Sequence, residues 1–355
     1  MRSSRAGTET RPLLIVRADA NAAIGSGHAK RSAAVAEEWH RRDLQFALVT
    51  SGSLESVPTA IRRRASRIET GFAAHPDPED LDRLLRMIGE SQTPCVLLDG
   101  YGFDEEYRRA IRQSGATLIV MDDNGSQASH AHVVVNSSPS ADRTEYRGIA
   151  VESLVGPAFA PLRSEFMLQS RKTGSDLSEP PRILVTLGGS DRLNRTAMVI
   201  EALELTSRRV QARVVIGPAN TGKGELLEKC SSASQHIECI VDPPDMSALM
   251  AWSDIAVCAS GGTLLEIAFL GVPSLSLVLA ENQRKIGETF ADSGVTRNLG
   301  SAEQLTARGI ADALTEMLEN QEIRRAQTIA GQSLIDGLGT SRIVDHILGF
   351  TTVND

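Results

Sequence analysis

The chain has 355 residues, 41% of them apolar, 23% charged and 4% aromatic, and a formal net charge of −8. That length fits two domains, and the apolar share can bury a sizeable core. The acidic balance argues against a general nucleic-acid binder, which would be basic or carry a basic face. With aromatics scarce, the core must be built from Ala, Val, Ile and Leu, the composition of parallel sheets covered by helices.

Residues 1–11 are polar and lack an apolar core, so they read as a disordered tail and not a signal peptide. No apolar run approaches the roughly 20 residues that span a bilayer. The setting expected from this is the cytoplasm, without membrane contact. Short β-branched runs then alternate with helical patterns. Leu13–Val16, Phe46–Val49, Cys95–Leu98, Thr117–Met121, His132–Val135 and Ser153–Val155 read as strands. Ala29–Arg42, Asp80–Ile88 and Glu105–Ile111 read as helices. Strands alternating with helices imply βαβ units and a parallel sheet. The cluster Arg62-Arg63-Arg64 reads as a solvated helix face.

The polar, aperiodic stretch 169–181, with Gly174, Pro180 and Pro181, reads as a linker. After it the alternation restarts. Strands are expected at Ile183–Leu187, Val214–Ile216, Ile237–Val241, Ile255–Cys258 and Ser274–Leu279. Helices are expected at Thr196–Leu205, Leu226–Cys230, Ser247–Trp252, Leu264–Leu270 and Arg284–Asp292, then onward to a break at Gly337–Gly339. The chain is therefore α/β, with one unit over residues 12–168 and a second over 182–355, whose last helix is a candidate to pack back on the first unit. The four cysteines (Cys95, Cys230, Cys239, Cys258) have neither metal-ligand nor redox spacing and read as buried reduced thiols.

Four segments sit at carboxyl ends of strands, where ligands bind in open parallel sheets. The first, Arg17 to His28, follows a strand and opens a helix. Gly25 and Gly27 allow a tight turn and close approach. His28 falls at the helix start, where the dipole works against an imidazolium and so suits a base; a plain capping histidine reads equally well. The second, Leu187 to Asp191 with Asn194, offers Gly189, Ser190 and Asp191 to a phosphate, or forms an ordinary turn with Asn194 as helix cap. The third runs from Ala259 to Glu266. Ser260 and Thr263 offer hydroxyls and Gly261 and Gly262 amides to an anion, and Glu266 can accept from a ribose diol. Thr263 and Glu266 also fit a capping box. In the fourth, Asn282 and Gln283 present two amides that could read sugar hydroxyl or acetamido groups, or they simply start a helix.

Together these segments resemble the UDP-2,4-diacetamido-2,4,6-trideoxy-β-L-altropyranose hydrolases of pseudaminic acid biosynthesis. Those enzymes are relatives of the lipid II N-acetylglucosaminyltransferase and share its GT-B fold. The matching residues are Arg17-Ala-Asp19, Ile24-Gly-Ser-Gly-His28, Arg31, Leu98-Asp-Gly-Tyr101, Met121-Asp-Asp123, Gly156-Pro and Leu162-Arg163-Ser-Glu165-Phe166. In the second unit they are Gly188-Gly-Ser-Asp191, Asn194, Ser260-Gly-Gly-Thr263, Glu266 and Asn282-Gln283. The stretch Asp245 to Asp254 looks like the nucleotide-base region of the transferase relative. The resemblance covers residues 13 to 300 and departs from the family in two places. Its Gly-His-Val-x-Arg-Cys run reads Gly27-His28-Ala29-Lys30-Arg31-Ser32 here, and Arg192 stands where the family has Pro.

The resemblance implies two Rossmann-like domains facing across a cleft, and a hydrolase that releases UDP from a UDP-linked acetamido-deoxy sugar with inversion. It implies His28 as the catalytic base, and Tyr101, Asn282 and Gln283 near the sugar together with Gly25, Gly27 and Arg163. The loops Gly189–Asp191 and Ser260–Thr263 would hold the diphosphate, Glu266 the ribose, and backbone near Met246 the uracil. It implies no cofactor and no metal, and the sequence offers no metal-ligand cluster. A glycosyltransferase using a UDP-sugar donor, or a non-catalytic nucleotide-sugar binder, are the alternatives. The partner expected is the UDP-sugar alone, without nucleic acid or membrane, and the chain is expected to be a monomer.

Overall fold

The computed structural model describes residues 11–19, 27–54, 57, 59–123, 125, 128–174, 176–189, 191 and 193–352. The tail at residues 1–10, Gly25, Ser190 and Arg192, all singled out above, lie outside the described residues.

The first half builds β1 (Leu13–Ala18), α1 (Gly27–Arg41), β2 (Phe46–Val49), α2 (Thr59–Arg62), β3 (Arg67–Glu69), α3 (Pro78–Gly89), β4 (Pro94–Asp99), α4 (Glu105–Gln113), β5 (Thr117–Met121), β6 (Val133–Asn136) and β7 (Glu152–Val155). Their sheet has the order β3-β2-β1-β4-β5-β6-β7 and every pairing is parallel. A short helix, α5 (Ser164–Met167), leads to the second half. There follow β8 (Arg182–Thr186), α6 (Arg195–Glu204), β9 (Gln211–Ile216), α7 (Lys223–Ser232), β10 (His236–Val241), α8 (Met246–Trp252), β11 (Ile255–Ala259), α9 (Thr263–Leu270), β12 (Ser274–Val278), α10 (Arg284–Asp292), β13 (Arg297–Ser301), α11 (Ala307–Glu319), α12 (Gln321–Leu334) and α13 (Gly339–Thr352). The second sheet, β10-β9-β8-β11-β12-β13, is again all parallel.

Strands such as Cys95–Leu98 and Ile255–Cys258 are apolar throughout because helices cover both faces of each sheet. Each sheet reverses its strand order once, between β1 and β4 and between β8 and β11. Side chains and loops at the carboxyl ends of those pairs therefore line a crevice. The elements the pattern missed are α2, β3, the short α5 and β13. β3 is a three-residue edge strand with two charged residues, and β13 is half-buried along its length, so neither carries an apolar alternation.

The chain crosses between the halves twice. Phe166 on α5 is buried with Leu264 and Phe269 in the second half. After Ile335 in that same cluster, α13 returns to the first half, where Ile343, Val344 and Ile347 are buried with Val35 and Trp39 of α1. Burying three such side chains contributes about 1.5–3 kcal/mol each. Arg42 strengthens the contact through Ser341 and Asp345. At the second crossing Gly339 lies on the backbone of Ala160, where a Cβ would meet the Ala160 oxygen at 2.3 Å.

Two local expectations fail. Cys230 and Cys239 form a disulfide, and only Cys95 and Cys258 are free. The chain turns back between α7 and β10, so residues nine apart in sequence meet, which spacing alone does not reveal. The arginine cluster lies mostly beyond a helix: α2 ends at Arg62, and Arg63 and Arg64 are exposed in the turn that follows. Among the described residues, no helix is long and apolar enough to cross a membrane.

Candidate active site in the cleft

The β1/β4 switch point brings His28, second residue of α1, to Asp99, last residue of β4. His28 Nδ1 lies 2.6 Å from Asp99 Oδ1. The same carboxylate accepts from Arg31 Nε (2.7 Å) and Nη2 (2.6 Å) and from the Ser32 hydroxyl (2.8 Å). Asp99 is fully buried. Burial alone would raise its pKa, but the Arg31 charge, its hydrogen bonds and the bond from His28 outweigh that and hold it at about 2. The carboxylate is therefore ionised and Nδ1–H of His28 donates to it. Arg31 Nη2 also lies 3.1 Å from Nδ1, but its shorter bond to Asp99 takes the hydrogen. In the neutral ring this tautomer places the lone pair on Nε2, the form a general base uses.

Arg31 also donates to Asp123 (2.5 Å), whose other oxygen accepts from the Tyr101 hydroxyl at 2.7 Å. The Tyr101 ring meets His28 edge-on, with centroids 4.6 Å apart. Asn282, from the second half, lies close enough to act on the same Tyr101 hydroxyl. The structure thus joins three residues proposed for the sugar end, His28, Tyr101 and Asn282, and adds Asp99, Arg31 and Asp123. Sequence reasoning gave those three no role. The signal was there in Asp99 and Asp123, carboxylates just where apolar strands end.

Below Arg17, also in the first motif, a buried network stabilises the same edge of the sheet. Its guanidinium binds Asp80 and Asp19, and Tyr107 donates to Asp80 (2.8 Å).

In the second half, α9 starts at Thr263 with no side-chain cap. The capping-box reading of Thr263 and Glu266 therefore fails: Glu266 accepts from Arg163 Nη2 at 3.0 Å instead. The Ser260 hydroxyl is fully buried and has no hydrogen-bond partner among the described residues. Gln283 fastens its Oε1 to the Leu279 amide (3.0 Å) and lays its Nε2 beside Gly261, 3.9 Å from where a Cβ would be. The Ser260 and Gly261 amides donate to Leu277 and Ala259 (2.8 Å each) and those of Leu264 and Leu265 to Gly261 and Gly262, so the amides at Gly262 and Thr263, at the α9 N-terminus, are the ones suited to a phosphate.

The other loop is more committed. Asn194 starts α6 but caps nothing with its side chain; Asp191 caps instead, accepting from the amides of Arg195 (2.9 Å) and Thr196 (2.8 Å). Asp191 reaches them because its backbone is left-handed (φ 38°), which turns its side chain back over the helix end. The Gly189 carbonyl accepts from Ala219 (3.1 Å). Met246 opens α8 behind its cap Asp245, which accepts from the Ala248 amide at 3.0 Å. Arg163 is held by Glu165 (2.7 Å) and Glu266 (3.0 Å), which puts it beside the ribose candidate.

Residues 182–336 match the family model described as the glycosyltransferase family 28 C-terminal domain. The chain is 28% identical over 281 residues to an uncharacterized protein of Methanocaldococcus jannaschii, covering 77% of this chain but only 57% of that protein. It is 20% identical over 288 residues to the UDP-2,4-diacetamido-2,4,6-trideoxy-beta-L-altropyranose hydrolase of Campylobacter jejuni, covering 79% of this chain and 97% of the enzyme. Among solved structures it is similar to MurG of Acinetobacter baumannii, with a TM-score of 0.69 at 16% identity over 96% of this chain and 99% of the other. The chain has the GT-B fold, and residues 182–336 are similar to the glycosyltransferase family 28 C-terminal domain.

Proposed function

We propose that the chain is a nucleotide-sugar hydrolase that releases UDP from a UDP-linked acetamido-deoxy sugar with inversion at the anomeric carbon. The observation that carries this reading is the His28–Asp99 pair, closed over by Tyr101 and Asn282 from opposite halves. In the reaction a water oxygen donates its pair to the anomeric carbon while the bond from that carbon to the diphosphate oxygen breaks. That bonding pair leaves with UDP, and His28 Nε2 takes the water proton. Asp99 balances the imidazolium that forms, as a carboxylate does in a hydrolytic triad. The diphosphate would lie on the Ser260–Thr263 loop, where backbone donors and the α9 dipole stabilise the leaving charge, and Glu266 would take the ribose diol. The 20% identity to the Campylobacter jejuni hydrolase supports the reading.

The family 28 match over residues 182–336 favours a second reading, an inverting glycosyltransferase in which His28 deprotonates an acceptor hydroxyl instead of water. Incubating the protein with UDP-linked and CMP-linked amino-sugars without acceptor, followed by NMR, separates the two. Free UDP with free sugar of inverted configuration supports hydrolysis. Saturable UDP shifts without turnover move the assignment to a transferase or to a binder without chemistry.

A further inference from the structure

Lys30 lies two residues beyond His28 on α1, so it faces away from the Asp99 pair by more than half a helical turn. Its side of the helix meets the segment that joins the halves. Glu37, seven residues on and therefore on the same side, accepts from the Ser164 amide (3.2 Å) and hydroxyl (2.8 Å). The charges that act on Lys30 come from that segment and from the second half: Arg163, Glu266, Asp242 and Glu165. Other cations in this part of the cleft are committed, Arg31 to Asp99 and Asp123, and Arg163 to Glu165 and Glu266. Lys30 is half-buried and makes no ion pair with a described carboxylate. Burial, followed by the nearby Arg163 charge, lowers its pKa. Glu266, Asp242 and Glu165 act the other way, but none is in ion-pair contact, and an anion entering the cleft would give the half-buried ammonium a direct partner. In the second half, the Ser260–Thr263 loop at the start of α9 contains no cation of its own.

We propose that Lys30 is the cation the first half presents to the diphosphate of the bound nucleotide, an assignment that rests on the nucleotide-sugar reading of the cleft. The ammonium meets the leaving group from the side opposite α9. It is strongest as the bond to the sugar breaks and negative charge grows on the diphosphate. Full stabilisation then requires both halves to close, because the donors to one phosphate group come from both.

Calorimetric titration of the full chain with UDP and, separately, with uridine tests this. Replacing Lys30 by Met is expected to weaken UDP by about tenfold or more while uridine affinity stays within about twofold, the loss expected from one charge-assisted contact. Lys30→Arg should restore most of the UDP affinity. An equal loss for both ligands, or no loss for UDP, overturns the assignment. So does wild-type protein that binds UDP no better than uridine, and that result leaves the ribose contact standing. Wild-type protein that binds neither ligand overturns the nucleotide-sugar reading and the Lys30 assignment with it.

Discussion

The two walls of the cleft are made from different materials. On the first half the site is a lattice of side chains: His28, Arg31, Ser32, Asp99, Asp123 and Tyr101 hold one another at 2.5–2.8 Å. On the second half it is mostly backbone and small residues, with an uncapped helix start and a hydroxyl at Ser260 that has no partner among the described residues. The difference matches the two tasks proposed for the walls. Abstracting a proton needs one nitrogen in one tautomer at one place, which interlocked charges provide. Holding a diphosphate needs several donors directed at one region, which a helix start supplies whatever the local side chains are.

If that contrast is right, damage to the first wall should propagate and damage to the second should stay local. The largest effect is expected from Asp99→Asn, which leaves the Arg31 guanidinium with Asp123 as its one carboxylate among those described: a loss of about 3–5 kcal/mol in urea unfolding, with turnover falling as His28 loses its charged partner. Wild-type stability in that variant would show that the lattice is not cooperative. His28→Ala should lower kcat by about 10² or more, as for loss of a general base, with UDP affinity almost unchanged. A large loss of UDP affinity with normal turnover would remove His28 from the chemistry. On the second wall, Glu266→Ala should weaken UDP by about 1–3 kcal/mol without changing the urea midpoint, and an unchanged Kd would reject the ribose contact. The smallest effect concerns acid. The Asp99 pKa is lowered from 3.8 to about 2 on folding, so its contribution is complete above the unfolded value and fades as pH falls from about 4 to 2. Nearly two units correspond to about 2 kcal/mol of stability, which should appear as an acid-induced drop in Tm in wild type that Asp99→Asn lacks.

The contrast also explains what the sequence disclosed. Parallel strands were legible because uninterrupted runs such as Thr117–Met121 have few other uses, and that strand's bounds match the expectation. Loops built on glycine announced themselves through composition, so Gly261 and Gly262 could be placed beside a helix start before any coordinates. The side-chain lattice could not be placed, because it joins residues far apart: His28 and Asp99 are separated by 71 positions, Arg31 and Asp123 by 92. Their meeting follows from strand order, which periodicity does not encode. The capping assignments failed for a related reason. Asn194 and Thr263 have the right residue types, but a left-handed backbone at Asp191 hands one cap to a different side chain, and the α9 start is left without one.

The double crossing of the chain limits how the walls can move. One connection would leave the halves free to swivel, slide and twist. Two connections in contact, with Gly339 lying on Ala160, act like paired door hinges and favour rotation about the line through them. Under such a constraint Asn282 travels on an arc toward Tyr101 and cannot arrive out of register. The base, the water it activates and the leaving group would then come into line in a single closing motion.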